Sequence, residues 1–192
     1  IVHAAEERNL LAQELHDSIA QALAFLNLQT QMLRKALTEP DPAETIRILD
    51  EIKSGLQQLL NTGHRLTLPM SGTGMAGMET CLVNLVEPGD RVLVVTNGVF
   101  SKRMQDVASR LGAQVDLLEF EWGTAVDPQK VADALKRQSY SIVALVHGET
   151  STGVRNPAPQ VGEIVRRSGA LFLLDAVTTL GGLRVAADEW GV

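Results

Sequence analysis

The rhythm of hydrophobic positions changes once along the chain, near residues 60–70. Residues 4–37 hold neither proline nor glycine, and Leu11, Leu15, Ile19, Ala22, Leu26 and Leu33 recur at spacings of three, four and seven. That is the period of a helix with one apolar side, and Gln13, Gln21, Gln31 and Arg34 fall on its other faces. Such a helix is about 50 Å long at roughly 1.5 Å per residue. The run TEPDP (38–42) interrupts it with two prolines. A second helix is predicted from Ala43, with Ile46, Leu49, Ile52, Leu56 and Leu59 on one side. Two such helices cannot enclose their own stripes, so the pattern predicts an antiparallel hairpin that dimerises into a four-helix bundle.

From Pro69 onward the pattern becomes βα. Strands are predicted at 91–97 (RVLVVTN), 113–120 (AQVDLLEF), 141–147 (SIVALVH) and 170–176 (ALFLLDA), with helices at 74–86, 99–111, 128–138 and 157–168. Strands apolar on both faces belong in a mostly parallel sheet covered by helices on each side. Asp127 before Pro128 and Asn156 before Pro157 read as helix starts. The expected division is therefore a helical hairpin over 1–62 and a partial α/β sheet domain over 63–192. Glycine usage agrees, since only Gly55 and Gly63 of the sixteen glycines precede Pro69. The chain starts at Ile1 rather than Met and stops just after a strand and turn, which suggests a piece of a longer protein.

Composition narrows the function classes. A net charge of -6 without a basic patch, and only 4% aromatic residues, exclude an electrostatic or base-stacking nucleic-acid binder. Cys81 is the only cysteine, so neither a disulfide framework nor a cysteine-rich metal site is expected, and a reduced, cytoplasmic setting fits. No apolar run reaches bilayer-spanning length, and the start lacks signal-peptide order.

Two stretches carry candidate chemistry. ELHDSIAQ (14–21) sets His16 beside Asp17 on the long helix, with Gln21 five positions on. A histidine ring nitrogen takes a phosphoryl group when a neighbouring carboxylate accepts its proton, but the same spacing also describes an ordinary helix histidine. SGTG (71–74) opens a helix, where free N–H groups and the hydroxyls of Ser71 and Thr73 suit a phosphate; helix-capping turns have the same composition. It is neither a Walker loop nor a dinucleotide fingerprint. Asp175 ends an apolar strand, where α/β folds place ligands, and HGETSTG (147–153) ends another. Together with SGTG they describe a pocket built from strand ends.

The string from 7 to 37, ERNLLAQELHDSIAQALAFLNLQTQMLRKAL, resembles the dimerisation and phosphoacceptor domain of nitrate/nitrite-sensor histidine kinases. That resemblance implies His16 as phosphoacceptor, Asp17 as its acidic partner and Gln21 as an aid to dephosphorylation. It also implies a homodimer that meets a response regulator or a kinase catalytic domain. From about residue 60, SGTGMAGMETCLVNLVEPGDRVLVVTNGVFSKRM, VHGETSTGVRNP, LFLLDAVTTLGG and DEWGV resemble the class V aminotransferases of pyridoxal-phosphate fold type I, of the serine– or alanine–glyoxylate and serine–pyruvate kind. This second resemblance implies pyridoxal phosphate as cofactor, with an amino acid and a 2-oxo acid as substrates. It implies that Ser71, Gly72 and Thr73 hold the phosphate, and that Phe100 stacks on the ring where the family usually has tryptophan. Thr150 is implied near the phenolic oxygen and Asp175 against the pyridine nitrogen. The family's Schiff-base lysine follows the DEWG segment; none of Lys35, Lys53, Lys102 or Lys130 lies in its motif, so catalysis by these residues alone is not expected. Because LLNTGHRLTLPMSGTG (59–74) reads from either side, the sequence predicts a fusion of two incomplete domains.

Overall fold

The computed structural model describes residue 38 and residues 42–192. These fall into two compact units: residues up to 69 with 180–185, and residues 70–179 with 186–192.

In the first unit, α1 (Pro42–Leu60) opens directly behind its proline, a residue that tolerates the first helical turn because no N–H is required there. It ends at Asn61, whose left-handed φ of 47° lets the N–H groups of Asn61 and Thr62 return to Gln58 O and Gln57 O. The Asn61 side chain donates to Val185 O at 2.9 Å. The helix is where the periodicity places it. Ile48 is the residue it buries, with Ile52 and Leu56 half-buried, whereas Ile46, Leu49 and Leu59 are exposed at 60%, 47% and 39%. A stripe read at spacings of three and four fixes a helix's period, not which of two adjacent apolar rows meets a partner. The preceding long helix, and with it the hairpin and the four-helix bundle, falls on residues outside those described.

The second unit is an alternation of helices and strands: α2 (Gly74–Leu85), β1 (Arg91–Thr96), α3 (Val99–Arg110), β2 (Gln114–Glu119), α4 (Pro128–Arg137), β3 (Ile142–Val146), β4 (Gly148–Glu149), β5 (Val154–Arg155), α5 (Ala158–Ser168), β6 (Leu171–Asp175) and α6 (Ala187–Trp190). The four long strands form a parallel sheet in the order β2-β1-β3-β6, and β4 and β5 make a small antiparallel pair. Every predicted strand and helix of this region is present within a residue or two of its expected limits.

The pleat divides the strands between two helix layers. Val92, Val94, Ile142, Ala144 and Val146 pack with Met78 and Leu82 of α2 and Met104 and Ala108 of α3. Their alternates, Leu93, Val95, Val143 and Leu145, are equally buried, as are Val131 of α4 and Val161 and Val165 of α5. Each such side chain contributes roughly 1.5–3 kcal/mol on burial, which explains why the central strands carry almost no polar residue. On α5, Gly162 is required by space: a Cβ there would lie 2.0 Å from Trp190 O. Polar side chains return only where the strands end. Among the described residues, no helix is long and apolar enough to cross a membrane.

Candidate functional site

All but one of the buried polar side chains among the described residues lie at or just beyond the carboxyl ends of the strands: Thr96, Asn97, Ser101, His147, Glu149, Asn156 and Thr179, with Thr67 the exception. A buried polar group costs stability unless it is paired, so their concentration marks the place where the fold does something other than pack.

Part of this layer is scaffold. Asn97 Nδ2 donates to Asn156 Oδ1 at 2.8 Å and to Thr124 O at 2.8 Å. Asn156 accepts from Val126 N–H at 3.0 Å and donates to Val146 O at 2.8 Å. The two amides thus tie the ends of β1 and β3 to the loop before α4. His147 sits at the end of β3, its N–H on Asp175 O at 2.8 Å and its Nδ1 2.8 Å from Thr179 Oγ1. Trp190 meets its ring edge-on, with centroids 5.4 Å apart. Burial, then the nearby Arg155 charge, lowers the imidazole pKa, so at neutral pH the ring is a neutral brace.

Beside this buried layer, and lined by other residues of the same strand ends, lies a cavity of about 180 Å³. The first turn of α2 supplies Thr73, Gly74 and Met75, α3 supplies Phe100, the turn after β3 supplies Gly148 and Thr150, and β6 with its following turn supplies Asp175, Val177 and Thr178. Thr73 is the N-cap of α2: its Oγ1 accepts from Ala76 N–H at 3.3 Å, which leaves the hydroxyl hydrogen for another acceptor. The hydroxyls of Thr150 and Thr178 are hydrogen-bonded to each other. Gly148 admits no side chain, because a Cβ would lie 2.6 Å from Thr179 Cγ2.

Asp175 dominates the electrostatics of this cavity. One carboxylate oxygen, Oδ1, accepts from Val177 N–H at 2.9 Å; no protein donor is found for the other among the described residues. Desolvation raises its pKa, the Val177 hydrogen bond opposes that, and the negative charge of Glu149 adds to the rise. A half-buried carboxylate held this way is short of a cationic or N–H partner. A second cavity of about 180 Å³ lies on another flank of Asp175, lined by Met78, Cys81, Met104 and Leu173.

Four of the six residues expected to bind the cofactor, Thr73, Phe100, Thr150 and Asp175, therefore share one cavity. Ser71 and Gly72 are exposed in the turn that leads into it and do not line it. Val177, Thr178 and Gly148 were not singled out from sequence; their signal was adjacency to Asp175 and His147 in LFLLDAVTT and HGETSTG. Lys102 pairs with Glu119 at 3.7 Å and Lys130 lies over the Phe120 ring at 5.4 Å, so neither reaches the cavity. His16, Asp17 and Gln21 lie outside the described residues. Among the described residues, no cluster of His, Cys, Asp and Glu is arranged to hold a metal ion.

Residues 12–192 match the family model for aminotransferase class-V. The chain is 43% identical over 152 residues to the (S)-ureidoglycine–glyoxylate transaminase of Bacillus subtilis, covering 79% of the chain and 36% of that protein. It is 41% identical over 149 residues to the alanine–glyoxylate aminotransferase of Rattus norvegicus, covering 78% of the chain and 36% of that protein. Among solved structures, the alanine–glyoxylate aminotransferase of Nostoc sp. superposes with a TM-score of 0.76 at 45% identity, over 79% of this chain and 40% of that one. The chain thus spans little more than a third of the length of these relatives. The family match begins at residue 12 and so takes in His16, Asp17 and Gln21. It gives no support to a histidine kinase hairpin, nor to the fusion inferred from residues 59–74.

Proposed function

This chain belongs to the class-V aminotransferase family, and on that premise we propose that its α/β region is the cofactor-holding part of an enzyme that transfers an amino group from an amino acid to a 2-oxo acid such as glyoxylate or pyruvate. Class-V aminotransferases are pyridoxal phosphate enzymes. The observation that carries the reading is Asp175, a carboxylate with a raised pKa and one oxygen for which no donor is found among the described residues, in a cavity that also holds a helix start with Thr73, an aromatic ring and the hydroxyls of Thr150 and Thr178.

Those residues fit the group. A helix start with Thr73 and the N–H groups of Gly74 and Met75 suits a phosphate, helped by Ser71 and Gly72 in the approaching turn. Phe100 and Val177 offer apolar surface to a flat ring. The Thr150 hydroxyl suits a phenolic oxygen. The Asp175 carboxylate supplies the charge that holds a proton on a pyridine nitrogen, and that pairing relieves its own desolvation. When bound, pyridoxal phosphate supplies an electron-withdrawing ring for chemistry at the substrate's α-carbon. The described residues bind and orient it; no lysine among them lines the cavity, so no covalent step is assigned to them.

Titration of the protein with pyridoxal phosphate, followed by absorbance and tryptophan fluorescence, tests this reading. Saturable binding weakened by Asp175→Ala supports it, and no binding up to millimolar cofactor overturns it. A homodimer is proposed alongside, as is a boundary between residues 62 and 63; sedimentation and limited proteolysis respectively check them. The phosphoacceptor reading rests on the resemblance of the string 7–37, with ELHDSIAQ at its centre. It returns only if a kinase catalytic domain with ATP labels the chain and His16→Ala abolishes the label.

A further inference from the structure

The N-terminus of α3 is capped from a distance. Its N-cap is Gly98, which has no side chain to offer, although serine, threonine, aspartate or asparagine normally satisfies the first N–H groups of a helix from that position. The acceptor is instead Glu149, 48 and 49 residues away along the chain and completely buried. Its Oε1 accepts from Phe100 N–H at 3.2 Å, and its Oε2 accepts from Ser101 N–H at 3.1 Å and from the Ser101 hydroxyl at 3.2 Å. Ser151 completes the link: its hydroxyl donates to Glu149 Oε1 at 2.7 Å and accepts from Val99 N–H at 3.0 Å. Gly98 is bare because it must be, since a Cβ there would lie 2.3 Å from Glu149 Cγ.

This arrangement does what a local cap cannot. A serine or aspartate at position 98 would satisfy the helix and leave it independent of the turn after β3. Glu149 satisfies the helix and clamps it to that turn. Phe100, the first residue it holds, and Thr150, its own neighbour, are both walls of the cavity and come from two different strand ends. We propose that Glu149 is a positioning residue of the cofactor cavity, fixing the Phe100 ring against the Thr150 hydroxyl through one buried carboxylate. The part of this that concerns pyridoxal phosphate rests on the function proposed above; the clamp between the two walls does not.

The experiment uses the 192-residue chain, wild type, Glu149→Gln and Ala108→Gly. Glu149→Gln keeps the shape but turns a double acceptor into an acceptor and a donor, so it must face N–H and O–H groups with an N–H of its own. Ala108→Gly loosens α3 at a buried position remote from the clamp and serves as the control for lost stability. Amide hydrogen exchange is read at residues 99–101 and 150–152, and pyridoxal phosphate affinity by titration. In Glu149→Gln, exchange is expected to accelerate about tenfold or more at both segments together, with the centres of β1 and β3 unchanged. Cofactor affinity is expected to fall about tenfold, and to stay within about twofold in Ala108→Gly. Acceleration confined to one segment, or spread evenly over the sheet, overturns the clamp. An unchanged affinity in Glu149→Gln overturns its role in the cavity and leaves Glu149 a purely structural cap. If the wild type takes up no pyridoxal phosphate, the function reading fails, and the paired exchange still decides whether Glu149 locks the two walls together.

Discussion

The two ends of the parallel sheet are both polar, and they handle polarity differently. Toward the amino ends, Arg91 Nη1 meets Asp116 Oδ2 at 3.3 Å, Tyr140 donates to the same oxygen at 3.0 Å, and Ser141 donates to Asp90 at 2.7 Å. Hydrogen bonds from Glu87 N–H and Ser141 hold the Asp90 carboxyl below its ordinary pKa. These groups stand at the surface, satisfy one another and line neither cavity. Toward the carboxyl ends several groups are buried and hydrogen-bonded, while the half-buried Asp175 carboxylate keeps one oxygen for which no protein donor is found among the described residues. The lesson is that polarity alone does not mark a site. A half-buried charge that faces a cavity with one oxygen unpaired does, because there a ligand completes what the fold began.

The largest expected break in this comparison is Glu149→Ala. It strands the half-buried N–H of Phe100 and the fully buried N–H of Ser101 and removes the acceptor of the Ser151 hydroxyl, and unfolding by urea should show a loss of ~3 kcal/mol. Next is Gly98→Ala, which drives a methyl into Glu149 and should cost about 1–3 kcal/mol by the same measurement, although φ at this position is extended and unstrained.

Asp175→Asn should separate stability from binding. The folded state raises the Asp175 pKa, so this group favours folding below its unfolded pKa and loses that contribution as pH rises through the folded value. At neutral pH its charge is a cost, and the asparagine variant should melt no lower than wild type without cofactor. Its pyridoxal phosphate affinity should nevertheless fall about tenfold or more, as checked by paired melts and titrations. Glu149 has the opposite sign: burial pushes its pKa up, but hydrogen bonds from Ser151, Ser101 and Phe100 outweigh that and lower it. Its stabilisation is present above its unfolded pKa and vanishes as pH falls through the folded value. As pH falls below the ordinary glutamate value of about 4.3 the wild type should therefore progressively lose its margin over Glu149→Gln, read from melting temperatures across pH. The smallest effect belongs to the other end of the sheet, where Tyr140→Phe should cost about 1 kcal/mol and leave cofactor affinity unchanged.

Legibility in the sequence followed the range of the interaction. The strands and helices from residue 74 onward could be read because an apolar run and a helix start are local signals. Thr73 and Asp175 could be named because each stands at such a boundary, whereas Phe100 and Thr150 were named only through the resemblance to the class V aminotransferases. Glu149 was in plain view in HGETSTG, yet its partners lie across the chain at 99–101, and nothing in the local spelling points there. The Asn97–Asn156 pair escaped for the same reason. On α1 the period could be read, but Ile46 and Ile48 are equally apolar, and only a packing partner chooses between the rows they stand on. The motif around His16 lies outside the described residues, and a single histidine-aspartate pair is common to many proteins, whereas several strand-end motifs in order are not.

The strand order β2-β1-β3-β6 also sets a timetable. β1 pairs on one side with β2, close behind it in the chain, but on the other with β3, where Val92 meets Ile142 about 50 residues later. At roughly 5–20 residues per second of synthesis, one flank of RVLVVT waits several seconds for its neighbour. Through that interval the most apolar edge of the nascent domain is open to any other chain, so a newborn copy depends on dilution or a chaperone until β3 has emerged.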